Sequence, residues 1–201
     1  MMEERYVFPK TSTANQTNYY WFEEGFTAEE LVQIEQLTTD LDFVPGTTEN
    51  GGGTDDKSVR DSQIKWVPFS PETKWIYDRL GMYASEANNE LFQFDIDYMP
   101  ENIQYTEYYG TNEGGYDWHM DIGSTGGMNL RKISITVQLS DSDEYEGGDL
   151  QLWTGGTMPL TAPRGKGNVV VFPSFMLHRV TPVTSGTRKS FVIWLGGGHY
   201  R

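Results

Sequence analysis

No cysteine occurs among the 201 residues. That excludes disulfides, thiolate metal sites and a cysteine nucleophile. Cations are scarce as well: 15 Lys and Arg stand against 29 Asp and Glu, a formal net charge of −14. So anionic a chain is not drawn to phosphate backbones or anionic lipid, so nucleic acid is disfavoured as a partner. No apolar run approaches the roughly 20 residues of a membrane span. The opening MMEERYVFPK has no hydrophobic stretch, so no signal peptide is expected. These absences make a soluble cytoplasmic chain the expectation, with a monomer as the default assembly. Histidine is rare too, limited to His119, His178 and His199.

What is present points to a folded, strand-rich domain. The 6 Trp, 12 Tyr and 10 Phe exclude disorder of the whole chain, and the length suits one domain with a sizeable core. The 22 Gly punctuate the second half with turns. Thr27 and Glu30 read as a capping box, and Leu31, Ile34 and Leu37 follow at helical spacing, which predicts a helix over 28–39. A second helix is expected from about Pro71 to Asn89, with Trp75, Ile76, Leu80 and Tyr83 on one face. Between them, 45–56 has no periodicity and reads as a surface loop, or a lid. Strands are expected at 92–97, 103–109, 133–139, 149–153, 168–172, 178–182 and 190–195. The fold class is therefore mainly β (α+β), a sandwich or barrel with helices supplied first.

Two of the three histidines stand in strand contexts that matter. In Tyr116-Asp117-Trp118-His119-Met120-Asp121, residues two apart share a face of a strand. His119 and Asp121 can then offer an imidazole nitrogen and a carboxylate oxygen to one ion. His178 opens a later apolar strand after a turn. Two His and one carboxylate form the facial triad of non-haem Fe(II) oxygenases. His-x-Asp alone also occurs in purely structural settings. Arg188 strengthens the functional reading. Alternation puts Arg188, Ser190, Val192 and Trp194 on one face, and an arginine aimed into a barrel is costly unless it meets an anion. A dicarboxylate would supply one; an exposed strand-end cation is the alternative.

With these residues the chain resembles the Fe(II)/2-oxoglutarate-dependent dioxygenases, and among them the prolyl 4-hydroxylase-like group of small bacterial and viral type. The resemblance lies in YYGTNEGGYDWHMD (108–121), RKISITVQLS (131–140), EGGDLQLW (146–153), GNVVVFPSFMLHRVTPV (167–183) and GTRKSFVIWLGG (186–197), which follow the family's order. SVRDSQIKWVP (58–68) is similar to a segment ahead of the core in such members. The resemblance implies one domain over 1–201: a double-stranded β-helix (jelly roll) over 91–197 with a helical supporting region over 1–90. It implies Fe(II) at His119, Asp121 and His178, and 2-oxoglutarate paired through its distal carboxylate with Arg188. Tyr109 matches a cosubstrate-pocket tyrosine, Trp194 an aromatic near the metal, and Tyr116 and Arg131 residues at the substrate mouth. Gln138 stands where some relatives carry a cosubstrate-binding tyrosine and Val192 replaces a hydroxyl residue, so more of the anchoring falls to Arg188, with Ser190 on the same face.

The activity implied is hydroxylation of a C–H bond, of a prolyl residue in a peptide or protein, with O2 consumed, succinate and CO2 as co-products, and ascorbate as an optional reductant. Retention of Asp121 argues against a halogenase of this class. Three alternatives stay open: the same chemistry on a free amino acid or other small molecule, on another side chain, or on a nucleobase; a non-catalytic jelly-roll module; and a structural component. Trp118, next to His119, should face away from the metal, and the acidic turn Asp141, Asp143, Glu144 and Glu146 reads as a solvated loop.

Overall fold

Polar and apolar residues alternate along three stretches near the middle and end of the chain, and these become its central strands. The computed structural model describes residues 18–48, 56–123 and 126–198; His199 and most of the 45–56 loop lie outside them. The elements in chain order are β1 (Tyr20–Phe22), α1 (Ala28–Thr39), β2 (Val44–Pro45), β3 (Arg60–Asp61), β4 (Gln63–Val67), α2 (Lys74–Ala87), β5 (Ile103–Tyr109), β6 (Gly115–His119), β7 (Arg131–Gln138), β8 (Tyr145–Gly147), β9 (Leu150–Leu152), β10 (Leu160–Thr161), β11 (Val169–Pro173), β12 (His178–Val180) and β13 (Val183–Gly196). The major sheet runs β1-β11-β7-β13-β5-β4-β2, with β8 beside β13, and the minor sheet runs β10-β9-β12-β6-β3. Strand pairing is antiparallel, with Ser190 of β13 opposite both Gln138 of β7 and Thr106 of β5.

Alternation sends the two faces of the major sheet to different partners. Ile133, Ile135, Val137, Phe191, Ile193 and Leu195 pack on Ile76, Leu80 and Ala84 of α2 and Ile34 of α1. Truncating a buried aliphatic side chain of this layer costs about 2–5 kcal/mol. The opposite face carries Thr106, Ser134, Thr136, Gln138, Arg188 and Ser190, all buried. The main apolar core thus lies between sheet and helices, and the space between the two sheets is left polar. A second, smaller cluster of Leu150, Leu152, Val170, Phe172 and Met176 closes one end of that space.

The helices are secured by their ends. Thr27 Oγ1 accepts the Glu30 N–H at 3.2 Å, and Glu30 Oε2 accepts the Thr27 N–H at 2.9 Å. Lys65 of β4 donates to the Thr38 carbonyl at 2.8 Å, placing a cation at the negative end of α1. The Tyr77 hydroxyl of α2 donates to the Val67 carbonyl at 2.7 Å and accepts the Ile103 N–H at 3.0 Å, tying α2 to the sheet.

Four expectations change. Residues 92–97 form no strand: α2 continues into a π-helical turn, Asn88–Phe92, and Gln93 takes φ +55. The Asn88 side chain brackets that turn, with Nδ2 donating to the Phe94 carbonyl and Oδ1 accepting the Phe94 N–H. Residues 58–68, given no strand in advance, supply β3 and β4. The first 90 residues are more than helical support, because β1, β2 and β4 join the major sheet and β3 the minor one. Finally β6 ends at His119, so Asp121 lies beyond the strand rather than on it. Among the described residues no helix is long and apolar enough to cross a membrane.

Candidate active site

Cross-strand register brings the two histidines together. His178, first residue of β12, is the direct partner of His119, last residue of β6. Their ring centroids lie 4.1 Å apart. Asp121 joins them by another route than strand alternation. Its backbone N–H donates to the Ser174 carbonyl at 2.9 Å, and one carboxylate oxygen accepts the Ser134 hydroxyl at 2.6 Å. An ionised carboxylate only accepts, so Ser134 donates to it and Ser174, 3.0 Å away, donates to Ser134. The result is a cluster whose three donor atoms lie within 4.8 Å of one another. His119 Nε2 is 3.7 Å from Asp121 Oδ1, and His178 Nε2 is 3.5 Å from Oδ2.

Both imidazoles are set for coordination. His119 Nδ1 is 2.7 Å from the Asp117 carbonyl and His178 Nδ1 is 2.8 Å from the Met176 carbonyl. A carbonyl only accepts, so each Nδ1 carries the hydrogen and each Nε2 turns a lone pair to the centre. Burial, and then the facing His178, push the His119 pKa down to about 3, so it is neutral at pH 7. Burial opposes ionisation of Asp121, but the charge that His178 or His119 would carry when protonated, together with the Ser134 hydroxyl, outweighs it and holds the carboxyl below its ordinary value. Two imidazole nitrogens and one carboxylate at these separations fit a first-row divalent ion at ordinary ligand distances of about 2.1 Å.

The cluster opens into a cavity of about 220 Å³ between the sheets, whose lining includes Tyr108, Tyr116, Leu150, Val180, Arg188 and Ser190. Arg188 is 1% exposed, and among the described residues it has no carboxylate partner. Its terminal nitrogens donate to Ser190 Oγ at 3.2 Å and to Gln138 Oε1 at 2.6 Å; its Nε has no hydrogen-bond partner among the described residues. Burial pulls its pKa down, yet a guanidinium stays protonated in water's pH range. An uncompensated buried cation beside a metal-competent cluster fits an anionic ligand that also chelates the metal.

The expected site residues divide. His119, Asp121, His178, Arg188, Ser190, Trp194, Tyr116 and Arg131 line the one cavity, and Gln138 reaches it through Arg188. Tyr109 does not. Its hydroxyl bonds the Glu107 carboxylate on the other face of β5, and its neighbour Tyr108 takes the place in the cavity, with Arg188 5.6 Å above its ring. Tyr116 stacks on His119 with ring centroids 3.4 Å apart, and Arg60 caps that stack 4.8 Å from the Tyr116 ring. Burial pushes the Tyr116 pKa up to about 12. Arg131 is buried: it holds Glu101 with two nitrogens, donates to the Asp121 carbonyl at 3.2 Å, and lies 3.7 Å over the Trp194 ring. The Trp194 indole N–H points to Asp121 without reaching hydrogen-bonding geometry. Trp118 turns away from the cluster, edge-on to Trp153 and under Arg179.

Several contributors lie outside the expected set. Ser134 was visible in the alternation of β7, where Lys132, Ser134, Thr136 and Gln138 share a face. Ser174, Glu101, Arg60 and Tyr145 have no local signal, because each comes from a distant segment. Gly148, at φ +63, allows a tight approach: a Cβ there would lie 3.0 Å from Arg188 Cδ and 3.2 Å from the Tyr145 ring.

Comparison with known proteins agrees with this geometry. Residues 103–196 match the family model of the 2OG-Fe(II) oxygenase superfamily. A PKHD-type hydroxylase of Xanthomonas axonopodis pv. citri is 30% identical over 81% of this chain and 72% of its own length. Others from Synechococcus sp. (strain CC9605) and Cupriavidus metallidurans are 46% and 34% identical, over 40% and 55% of this chain; the chain spans only 36% and 56% of their lengths. Among solved structures, a prolyl hydroxylase in complex with a hypoxia inducible factor oxygen degradation domain peptide fragment from Trichoplax adhaerens superposes with TM-score 0.74 at 16% identity, over 89% of this chain and 83% of that one. A Pseudomonas putida prolyl-4-hydroxylase superposes with TM-score 0.69 at 17% identity, over 90% and 94%. At such identities the superpositions establish the fold, a jelly roll. The Xanthomonas match, over most of both chains, establishes the family: this chain belongs to the PKHD-type hydroxylases of the 2OG-Fe(II) oxygenase superfamily.

Proposed function

We propose that the protein is an Fe(II)- and 2-oxoglutarate-dependent dioxygenase that hydroxylates a C–H bond of a prolyl residue in a peptide or protein. The observation that carries the reading is the meeting of His119, Asp121 and His178 with a buried Arg188 that has no carboxylate partner among the described residues. His119, Asp121 and His178 would hold Fe(II), and Arg188 with Ser190 would hold the distal carboxylate of 2-oxoglutarate. When bound, iron with 2-oxoglutarate and O2 supplies the oxidising power: one oxygen atom enters the substrate C–H bond, the other enters succinate, and CO2 leaves.

The chain's own residues do the rest. The Asp117 and Met176 carbonyls keep each Nε2 unprotonated and aimed. Ser134 orients the Asp121 carboxylate, and Arg131 grips the Asp121 backbone. Leu150, Val180 and Val192 give the cavity apolar walls that exclude water. Arg60, Trp66, Met120 and Met128 stand around the same cavity, where a peptide would enter. The Trichoplax adhaerens neighbour, solved with a peptide, supports that substrate class. Ascorbate would serve as a reductant between turnovers.

The test pairs Fe(II)-loaded protein with 2-oxoglutarate and prolyl peptides, following succinate and the gain of one oxygen in the peptide. Both should appear, and both should vanish in Asp121→Ala. Succinate formation unchanged in that variant would reject the metal assignment. Oxygen gain on free amino acids but on no peptide would reject the substrate class.

A further inference from the structure

The mouth of the cavity continues into an open groove. Trp66 and Glu101 line both, and the groove runs on past Phe69, Tyr77, Gly81 and Met99, with a volume of about 1000 Å³. It lies where α2 meets the end of β4 and the approach to β5. Two large apolar side chains stand exposed along it, Trp66 at 40% and Phe69 at 61%. Exposed aromatics are ordinary one at a time; two along a groove that opens into a reaction cavity call for an occupant.

Phe69 is exposed but braced. Its ring stands edge-on to Tyr77, with centroids 5.2 Å apart. Thr73 pins the turn on both sides of it: the Thr73 hydroxyl donates to the Pro68 carbonyl at 2.6 Å and accepts the Ser70 N–H at 2.9 Å. A shelf fixed in advance loses little freedom when something binds to it. Gly81 is an independent observation. Glycine inside a helix is less stable than alanine, and the fold does not demand it here. The backbone is helical, and among the described residues a Cβ would meet only Met99 Cε, 3.6 Å away, in ordinary contact. What the missing side chain leaves is depth in the groove. The carboxylates on the rim are already engaged, Asp78 by Lys74 and Glu101 by Arg131. The groove therefore selects for shape and apolarity, not for charge.

We infer that this groove holds a bulky apolar side chain of the peptide substrate, leucine or phenylalanine, carried a few residues from the prolyl residue in the cavity. The inference rests on the substrate being a prolyl peptide. It makes Trp66, Phe69 and Gly81 determinants of sequence preference away from the metal donors. A second copy of this chain is the less suitable occupant, because seated there it would obstruct the mouth through which substrate enters.

The test is steady-state hydroxylation of prolyl peptides by the Fe(II)-loaded protein with 2-oxoglutarate. The peptides are alike except that one leucine replaces a serine, moved outward from the proline on either side in turn. On one side, leucine at the position that reaches the groove should lower KM roughly ten- to hundredfold, as expected for burying one such side chain. It should leave kcat unchanged, because the contact is made equally in the ground state and the transition state. Gly81→Leu fills the groove with a good helix former and should erase that ratio between leucine and serine peptides. Phe69→Ser should erase most of it, and it removes only an exposed side chain, so it serves if Gly81→Leu does not fold. A KM indifferent to leucine at every position, or a ratio that survives both variants, overturns the inference. So does self-association of the wild type that Gly81→Leu abolishes, which would give the groove to a second copy. Wild-type protein that oxidises no prolyl peptide would bring down the substrate reading itself, a result distinct from indifference to leucine.

Discussion

At the scale of single residues, the site is built by groups that accept or donate but cannot do both. Backbone carbonyls fix the tautomers of His119 and His178, and a carboxylate fixes the direction of the Ser134 hydroxyl. Ser134→Ala should therefore leave the fold intact and lower Fe(II) affinity by roughly ten- to hundredfold, since partners behind metal ligands carry about that much. Anaerobic metal titration measures it, and wild-type affinity in the variant would show that Ser134 only fills space. Ser134 could be read from the alternation of β7, because a polar side chain two positions from another on a buried strand needs a partner. Tyr109 falls outside the cavity for a related reason. Its spacing from His119 suits the cavity, but the pleat of β5 decides which of Tyr108 and Tyr109 points inward, and that depends on how β5 pairs with β13.

Elements are held in place by their ends and turns. The capping box of α1 satisfies two backbone donors reciprocally, so Thr27→Ala should cost about 1 kcal/mol in chemical denaturation. Glu30 adds a pH dependence. Its carboxyl lies below the ordinary 4.5 because it accepts the Thr27 N–H and, against the cost of burial, pairs with Arg79. The folded protein then binds that proton less tightly than the unfolded chain. The stabilisation is present above about pH 4.5 and is lost as the pH falls through the carboxylate range. Glu30→Gln should flatten that part of the stability profile; an unaltered profile would exclude Glu30 as its source. The Gly147-Gly148 turn is a second device. Gly148→Ala meets a left-handed backbone, Val183 Cγ2 at 2.9 Å and the Arg188 stem. It should destabilise more than Gly155→Ala, which has the same backbone penalty but nothing within 4 Å, and thermal melts of the pair decide it.

For the molecule as a whole, the division of labour between two interiors governs stability and function. The apolar layer between the major sheet and the helices folds the chain. The polar space between the sheets leaves Arg188 buried with no carboxylate partner among the described residues. A dicarboxylate that binds only the folded, metal-loaded protein should stabilise it by about 2.7 kcal/mol at a hundredfold excess over Kd. For a domain of this size that is about 5–10 °C in Tm. Arg188→Met should abolish this shift for 2-oxoglutarate while leaving stabilisation by Fe(II) itself in place. A shift that survives the substitution would place the dicarboxylate elsewhere.

The sequence by itself determined the capping box and extent of α1, the register of polar and apolar residues along β5, β7 and β13, and the identity of His119, Asp121 and His178, which cluster, and of the buried Arg188. Each depends on residue type at short spacing, which the chain carries locally. The tertiary structure alone decided the rest. Asp121 meets the histidines through Ser134 and Ser174, not through strand alternation, because β6 stops at His119. Residues 92–97 turn away from a strand because Asn88 brackets the end of α2. Glu101, Arg60 and Tyr145 enter the site's surroundings from segments far along the chain. Burial and hydrogen-bond completion are properties of the packed sheets, and no window of sequence short enough to show a motif contains both partners.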